Sequence, residues 1–153
     1  MPKLDLDRLP ETNTTGYPPP FDQPVAGRWY RRLSPAASLT DFGASLVRLD
    51  PGAWSSQRHW HDGEDELLVM LEGEATLVED EGPVLLRPGD VAVFPKGIRN
   101  GHHLRNDGGS ECRFLVVGGG ACTGGGYSDI DMLFSADGNY TRKDGTPYEA
   151  RRR

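Results

Sequence analysis

Two of the four histidines of the sequence, His59 and His61, are separated by a single residue, Trp60. Residues at i and i+2 point to the same side of an extended strand, whereas in a helix they lie about 200° apart. On a strand their Cα atoms are about 6.6 Å apart, from a rise of ~3.3 Å per residue. A metal ion at about 2.0–2.1 Å from each imidazole nitrogen fits that separation. The pair therefore predicts a metal site, provided that residues 59–61 form a strand.

A carboxylate follows the histidine pair across a predicted chain reversal. Residues 62–65 (DGED) are rich in turn formers and would reverse the direction of the strand. Glu66 would then open the returning strand and can face the same interior as the two imidazoles. We therefore predict Glu66 as a ligand beside His59 and His61.

A third imidazole can come only from the two remaining histidines, His102 and His103. They follow a predicted turn at residues 95–97, where a strand would restart, and adjacent strand residues face opposite sides. Only one of the two can therefore be a ligand. Arg105 shares a face with His103 and is expected to face solvent, which places His102 inside. His103 remains the alternative.

Short apolar runs separated by turn signals recur from residue 42 onward: FGASLVRLD, ELLVML, EATLV, PVLL, VAVF and CRFLVV. Their spacing of about 8–12 residues and their Val, Leu and Phe content predict an antiparallel sandwich or barrel. The leucines within residues 65–71 also fit helical spacing. Gly73 and the next apolar run follow so closely, however, that we favour two strands of a hairpin over a helix.

The order of these runs suggests one domain with three parts. Residues 1–25 contain four prolines in a short stretch and are expected to form an extended arm. Residues 26–135 would form the β-barrel, and residues 136–153 a C-terminal turn and a basic tail. The tract GGGACTGGG at 118–126 lacks the Lys-Ser or Lys-Thr pair and the helix of a phosphate-binding loop, so we expect a flexible loop there.

Composition excludes several classes of function. The 153 residues carry a formal net charge of -6, which argues against nucleic acid as a partner because phosphate binding needs a basic face. No apolar stretch approaches the ~18 residues of a membrane span, and the N-terminus lacks a signal-peptide pattern. Cys112 and Cys122 are expected to be reduced thiols. We therefore expect a cytoplasmic protein.

The spacing of these residues resembles two motifs of the cupin superfamily. The first motif is a glycine, His-x-His, a glutamate and a second glycine, and it matches Gly52, His59, His61, Glu66 and Gly73, with six residues instead of five after the first glycine. The second motif matches Gly89, Pro95 and Gly97. Asn100 occupies the position of its histidine, and His102 with Asn106 fits after a two-residue insertion. The sequence also looks like the small bacterial single-domain cupins of the conserved-barrel type.

The resemblance implies a small all-β protein, an antiparallel β-barrel or jelly roll. It also implies one divalent transition metal inside one end of the barrel and, commonly, dimers. The metal ligands would be His59, His61, Glu66 and His102, and the ligand types suit Fe, Mn, Ni, Co or Zn. We also expect a homodimer in which the proline-rich arm pairs with the partner's sheet.

Three imidazoles and one carboxylate leave open positions on the metal for a small polar organic substrate. Two kinds of chemistry follow: non-haem dioxygenation, or Lewis-acid lyase or isomerase chemistry. A non-catalytic sensor that binds a small molecule is the alternative.

Acid–base catalysis would need a further titratable group in the cavity, and Tyr127, Asp129 and Asp131 could close over its mouth. Arg58 and Arg99 could hold an anionic substrate.

Overall fold

Antiparallel strands make up most of the computed structural model, which describes residues 3–149. The predicted all-β barrel is confirmed. Helical structure within these residues amounts to a 3-10 turn at Leu6–Arg8 and a short helix α1 at Leu33–Ala36. None of the described residues belongs to a helix long and apolar enough to cross a membrane.

In the described part of the chain twelve strands form three sheets. Their bounds are β1 Arg28–Arg32, β2 Phe42–Leu49, β3 His59–His61, β4 Glu64–Glu72, β5 Ala75–Glu79, β6 Gly82–Leu86, β7 Val91–Phe94, β8 His103–Arg105, β9 Cys112–Gly120, β10 Gly125–Tyr127, β11 Leu133–Phe134 and β12 Tyr140–Thr141. The largest sheet has the order β1-β2-β9-β4-β7. The second has the order β12-β11-β10-β3 and contains the histidine strand, and the third has the order β6-β5-β8.

Strand β4 settles the choice between strand and helix for residues 65–71. Leu68 and Met70 are buried while Leu67 and Leu71 are exposed, which is the period of two that a sheet requires. β4 lies between β9 and β7, and both pairings are antiparallel. Glu66 therefore projects from a central strand of the largest sheet, on the same face as the buried Leu68.

The main core fills the space enclosed by the sheets, and its buried members are Val47, Leu49, Ala53, Leu68, Met70, Ala75, Leu77, Leu86, Ala92, Phe94, Leu104, Cys112 and Phe114. A polar side chain, Asn106, is fully buried just beyond β8. Its amide nitrogen donates to the carbonyl oxygens of Leu49 (3.0 Å) and Ser110 (2.8 Å), and its oxygen accepts from the Gly108 amide (3.1 Å). Asn106 therefore ties the end of β2 to the turn before β9.

The N-terminal arm packs on its own barrel. Thr12 and Tyr30 exchange backbone hydrogen bonds of 3.1 and 2.9 Å, which adds the arm to the edge of β1. Farther along, Tyr17 is buried and stacks on Tyr140 with a centroid distance of 5.6 Å. The arm is thus part of the monomer. The homodimer and the division into three parts stay predictions, and the tail residues 151–153 lie outside the described residues.

The expectation of a flexible loop at 118–126 is wrong for most of that tract. Residues 118–120 end β9, and Gly125 and Gly126 begin β10, which pairs with β3 on one side and β11 on the other. The strands that follow, β11 and β12, extend the same sheet beyond β10. Glycine is needed here because a Cβ on Gly125 would overlap the Trp60 carbonyl oxygen and approach Phe134 Cζ to 2.6 Å.

Substituting Gly125→Ala is expected to lower the free energy of unfolding by roughly 2 kcal/mol, because an added methyl group in a close-packed site forces the backbone to move. Urea unfolding of both proteins measures the difference. Gly109→Ala is the matched control, since a Cβ there meets no atom within 4 Å. Equal stability of the two variants would contradict the packing described for β10.

Candidate metal centre

The β3–β4 hairpin brings together the residues of the first motif. His59 and His61 project from the same side of β3, and Glu66 projects from β4 after a tight turn. One potential ligand atom from each of the three side chains lies within 4.8 Å of those of the other two. This His-His-Glu group could hold a metal ion.

Hydrogen bonds hold the His59 imidazole in the tautomer that a metal ligand needs. Its Nδ1 lies 3.1 Å from the Gln57 carbonyl oxygen and 3.1 Å from Ser56 Oγ. Because a carbonyl oxygen can only accept, Nδ1 carries the proton and the Nε2 lone pair is free. Burial, followed by the charge of the neighbouring His102, lowers the pKa of His59 to about 3. The ring is therefore neutral at neutral pH.

His61 is the side chain with the strongest structural indication of a missing partner. Both of its ring nitrogens are buried and have no hydrogen-bond partner among residues 3–149. Glu64 Oε2 lies 3.4 Å from Nδ1 and Glu66 Oε2 lies 3.7 Å from Nε2, but neither contact has hydrogen-bond geometry. Buried polar atoms without partners are costly, and a divalent metal would satisfy the nitrogen that faces Glu66.

Glu66 supplies the negative charge of the group. Burial acts to raise the pKa of its carboxyl group, but the hydrogen bond with His102 and the charges of the three surrounding histidines outweigh burial and hold the pKa below its usual value. His102 Nε2 lies 3.1 Å from Glu66 Oε1. The side chain is therefore an ionised acceptor, as metal coordination requires.

The two remaining histidines face opposite sides, as strand alternation predicts. His102 pairs directly with His59 through two backbone hydrogen bonds of 3.2 and 3.0 Å, so the two rings lie side by side with centroids 4.8 Å apart. His102 also stacks flat on Phe94 at 3.5 Å. His102 contacts Glu66 of the His-His-Glu group, but it is not one of the residues whose ligand atoms all lie within 4.8 Å of one another. Coordination by His102 stays a prediction.

His103 points away from this group. Its Nδ1 donates to the Ser56 carbonyl oxygen at 3.0 Å, and its ring packs edge-on against Trp54 at 4.7 Å. Burial lowers the pKa of His103 to about 4. It is thus a neutral, internally bonded histidine of the core.

A cavity of about 440 Å³ opens from the histidines into the barrel. Sequence reasoning missed two groups in its lining: the arginines Arg28 and Arg32 of β1, and the tyrosines Tyr17 and Tyr140, which join the predicted Tyr127. The alternation of arginine and tyrosine in RWYRR (28–32) was the available signal. This pattern points to the cavity only when the sheet order is known, because two strands lie between β1 and β4.

Other sequence candidates lie outside the cavity lining. Arg58 pairs with Asp80 and, at 3.3 Å, with Asp129. Arg99 lies over the Trp60 ring at 6.0 Å. Asp131, the third residue expected near the mouth, accepts a hydrogen bond from the Lys143 amide at 2.9 Å. These charged side chains are engaged in structural contacts.

The tyrosines form a buried phenol cluster at the cavity wall. Tyr17 contacts Tyr127 edge-on at 5.7 Å, and Tyr127 lies 6.1 Å from the His59 ring. Burial raises the pKa of Tyr17 to about 12 and also raises the pKa of Tyr127 and of Tyr140. All three hydroxyls stay protonated at neutral pH, and the Tyr127 hydroxyl is hydrogen-bonded to those of Tyr17 and Tyr140.

Comparison with known proteins identifies the family of this fold. The profile of the cupin domain matches residues 45–118. The crystal structure of a sugar phosphate isomerase of the cupin superfamily from Silicibacter pomeroyi aligns with a TM-score of 0.91 and 44% sequence identity, over 97% of this chain and 98% of that chain. This chain belongs to the cupin superfamily.

Two further structures show the range of cupins that it resembles. A proposed sugar phosphate isomerase from Acidithiobacillus ferrooxidans is 26% identical, with a TM-score of 0.70 over 82% of this chain and 81% of that one. A predicted oxalate decarboxylase from Thermotoga maritima is also 26% identical, with a TM-score of 0.54 over 61% and 80% of the two chains. Among curated proteins the sequence comparison finds no significant match.

Proposed function

We propose that this cupin is a metal-dependent isomerase acting on a small phosphorylated sugar. The observation that carries the proposal is the convergence of His59, His61 and Glu66 at one end of the 440 Å³ cavity. The name of the 44% identical relative supports the substrate class, because this chain matches that protein over nearly its whole length.

His59, His61 and Glu66 would hold the metal, and His102 would become the fourth ligand by exchanging its hydrogen bond with Glu66 for the metal. Two observations fit this assignment: the unpartnered nitrogens of His61, and a donor set of neutral imidazoles with one carboxylate, which suits Fe, Mn, Ni, Co or Zn. Bound there, the metal would supply Lewis-acid polarisation of a substrate carbonyl or hydroxyl oxygen.

The remaining lining would position the substrate. Leu68, Leu104 and Phe114 form an apolar wall that limits the access of water. Tyr127 lies beside His59 and is hydrogen-bonded to Tyr140, and the hydroxyl of the partly exposed Tyr140 can donate to a sugar oxygen. Isomerisation also moves protons, and tyrosine hydroxyls are the titratable groups beside the proposed metal centre that could hold a substrate oxygen by hydrogen bonding.

The test is turnover without oxygen. Metal-reconstituted protein is incubated anaerobically with a panel of aldose and ketose phosphates, and interconversion is followed by proton and phosphorus NMR. We expect an aldose and its ketose to approach equilibrium while solvent deuterium enters the substrate. Oxygen consumption by the iron-loaded protein without anaerobic turnover would instead favour the dioxygenase, and tight binding without any turnover would favour the sensor.

A further inference from the structure

Strand β1 presents a basic face to the cavity. Arg28, Tyr30 and Arg32 lie at alternate positions, opposite Leu49, Val47 and Ser45 of β2 in the antiparallel register, and all three line the cavity. Between them, Trp29 points the other way and donates to Asp50 at 3.0 Å. Residues at i, i+2 and i+4 of a strand share one face, so the two guanidinium groups belong to the same wall.

The two guanidinium groups flank one aromatic ring. The Cζ atoms of Arg28 and Arg32 lie 5.2 and 5.7 Å from the centroid of Tyr30. The Tyr30 hydroxyl is in turn held by the Thr14 side chain at 3.0 Å, which belongs to the arm. β1 and the arm thus fix the position of two positive charges within one small region.

Within the described residues, neither arginine has an acidic partner. Arg28 donates to the carbonyl oxygens of Ser55 (3.0 Å) and Thr14 (3.3 Å), and its buried Nε has no hydrogen-bond partner. Arg32 is exposed toward the cavity and makes no ion pair. By contrast, Arg31 and Arg48 beside them both pair with Glu11. Arginine without a carboxylate partner is available to an anionic ligand.

The charge of the cavity differs from that of the whole protein. The chain carries a formal net charge of -6, yet the cavity lining contains two arginines, and Glu66 of the candidate metal centre is its one carboxylate among the described residues. A concave surface of one sign concentrates counter-ions of the other sign. The cavity is therefore built to attract an anion.

We propose that Arg28 and Arg32 form the subsite for the phosphate group of the substrate, an inference that rests on the proposed function. A dianionic phosphate matches two guanidinium groups, whose donors fit its oxygens in pairs. In the largest sheet, β2 and β9 separate β1 from β4, the strand that carries Glu66 of the candidate metal centre. At ~4.8 Å per strand the backbones of β1 and β4 are roughly 14 Å apart, so an elongated molecule could contact both.

Binding of inorganic phosphate to the full-length protein tests this subsite independently of catalysis. Titrations at constant ionic strength compare the wild type with Arg32→Gln, Arg28→Lys and His61→Ala. The Arg32 side chain makes no hydrogen bond within the described residues, so its replacement leaves the fold intact. Arg87→Gln, which removes an exposed arginine paired with Glu74, is the control for net charge.

We expect the dissociation constant for phosphate to rise at least about tenfold in Arg32→Gln and in Arg28→Lys, since each removes charge-assisted hydrogen bonds. Arg87→Gln and His61→Ala should bind phosphate like the wild type. Unchanged binding in both β1 variants, loss of binding in His61→Ala, or equally tight binding of acetate would overturn the proposal. Because His61→Ala is designed to lack the metal, failure of the metal centre and failure of the phosphate subsite give different results.

Discussion

His61→Ala is expected to remove the metal from the reconstituted protein and to lower turnover by more than about 100-fold. Within the described residues the ring nitrogens of His61 have no hydrogen-bond partner, so the variant loses a proposed ligand without losing a structural hydrogen bond. Removing even an outer-sphere partner of a metal typically costs 10–100-fold in affinity, and a direct ligand should cost more. Elemental analysis after reconstitution and dialysis measures the metal content.

The matched control is His103→Gln, which changes a buried histidine next in sequence to His102. The His103 ring faces the other side of the strand, where it is hydrogen-bonded to the Ser56 carbonyl oxygen and packed against Trp54. This variant should keep its metal. Chelation should lower the melting temperature of the wild type and leave that of His61→Ala unchanged, because an ion at 100 times its dissociation constant stabilises a fold by about 2.7 kcal/mol. A wild type without stoichiometric transition metal after reconstitution would contradict the proposed centre.

Asn106→Ala is expected to lower the free energy of unfolding by about 3 kcal/mol. The substitution leaves two carbonyl oxygens, of Leu49 and Ser110, and the Gly108 amide without their partner. The bond to Leu49 is buried and the bonds to Ser110 and Gly108 are partly buried, and an unsatisfied buried polar group costs about 1–3 kcal/mol. Urea unfolding with a constant m-value measures the loss.

Asn100→Ala provides the comparison for Asn106→Ala. Asn100 also makes hydrogen bonds through both ends of its amide, with the Asp80 amide at 2.9 Å and with Glu81 Oε2 at 2.8 Å. Those bonds lie at the surface, where water replaces a lost partner, and the expected loss is below about 1 kcal/mol. Similar losses in the two variants would show that burial does not control the contribution of Asn106.

The sequence predicts the parts of this molecule that depend on local periodicity. Alternating burial of residues 67–71, turn signals between apolar runs, and the i, i+2 spacing of His59 and His61 are properties of short segments. The direction of His102 relative to His103 follows from the same alternation. These features require only the geometry of a pleated strand.

Features that depend on sheet order could not be derived in this way. Arg28 and Arg32 reach the cavity because β1 adds to the edge of β2, and nothing near them in the sequence indicates that neighbour. The glycines of β10 were interpreted as flexible because composition alone favours a loop. Their role follows from the close approach of Trp60 and Phe134, which is a contact between distant segments.

The pairing of the histidine strand has a consequence for the biogenesis of the protein. Strand β3 pairs with segments that are distant in the sequence. His59 pairs with His102, and strand β10 lies alongside, with Gly125 opposite His61 and Tyr127 opposite His59. Contacts between segments so far apart in the sequence form late in folding, because closing the long intervening loop costs conformational entropy before the contacts can compensate for it. On the ribosome, the imidazole pair can be locked into place only after residue 127 has left the exit tunnel, so the proposed metal centre would be completed late in synthesis.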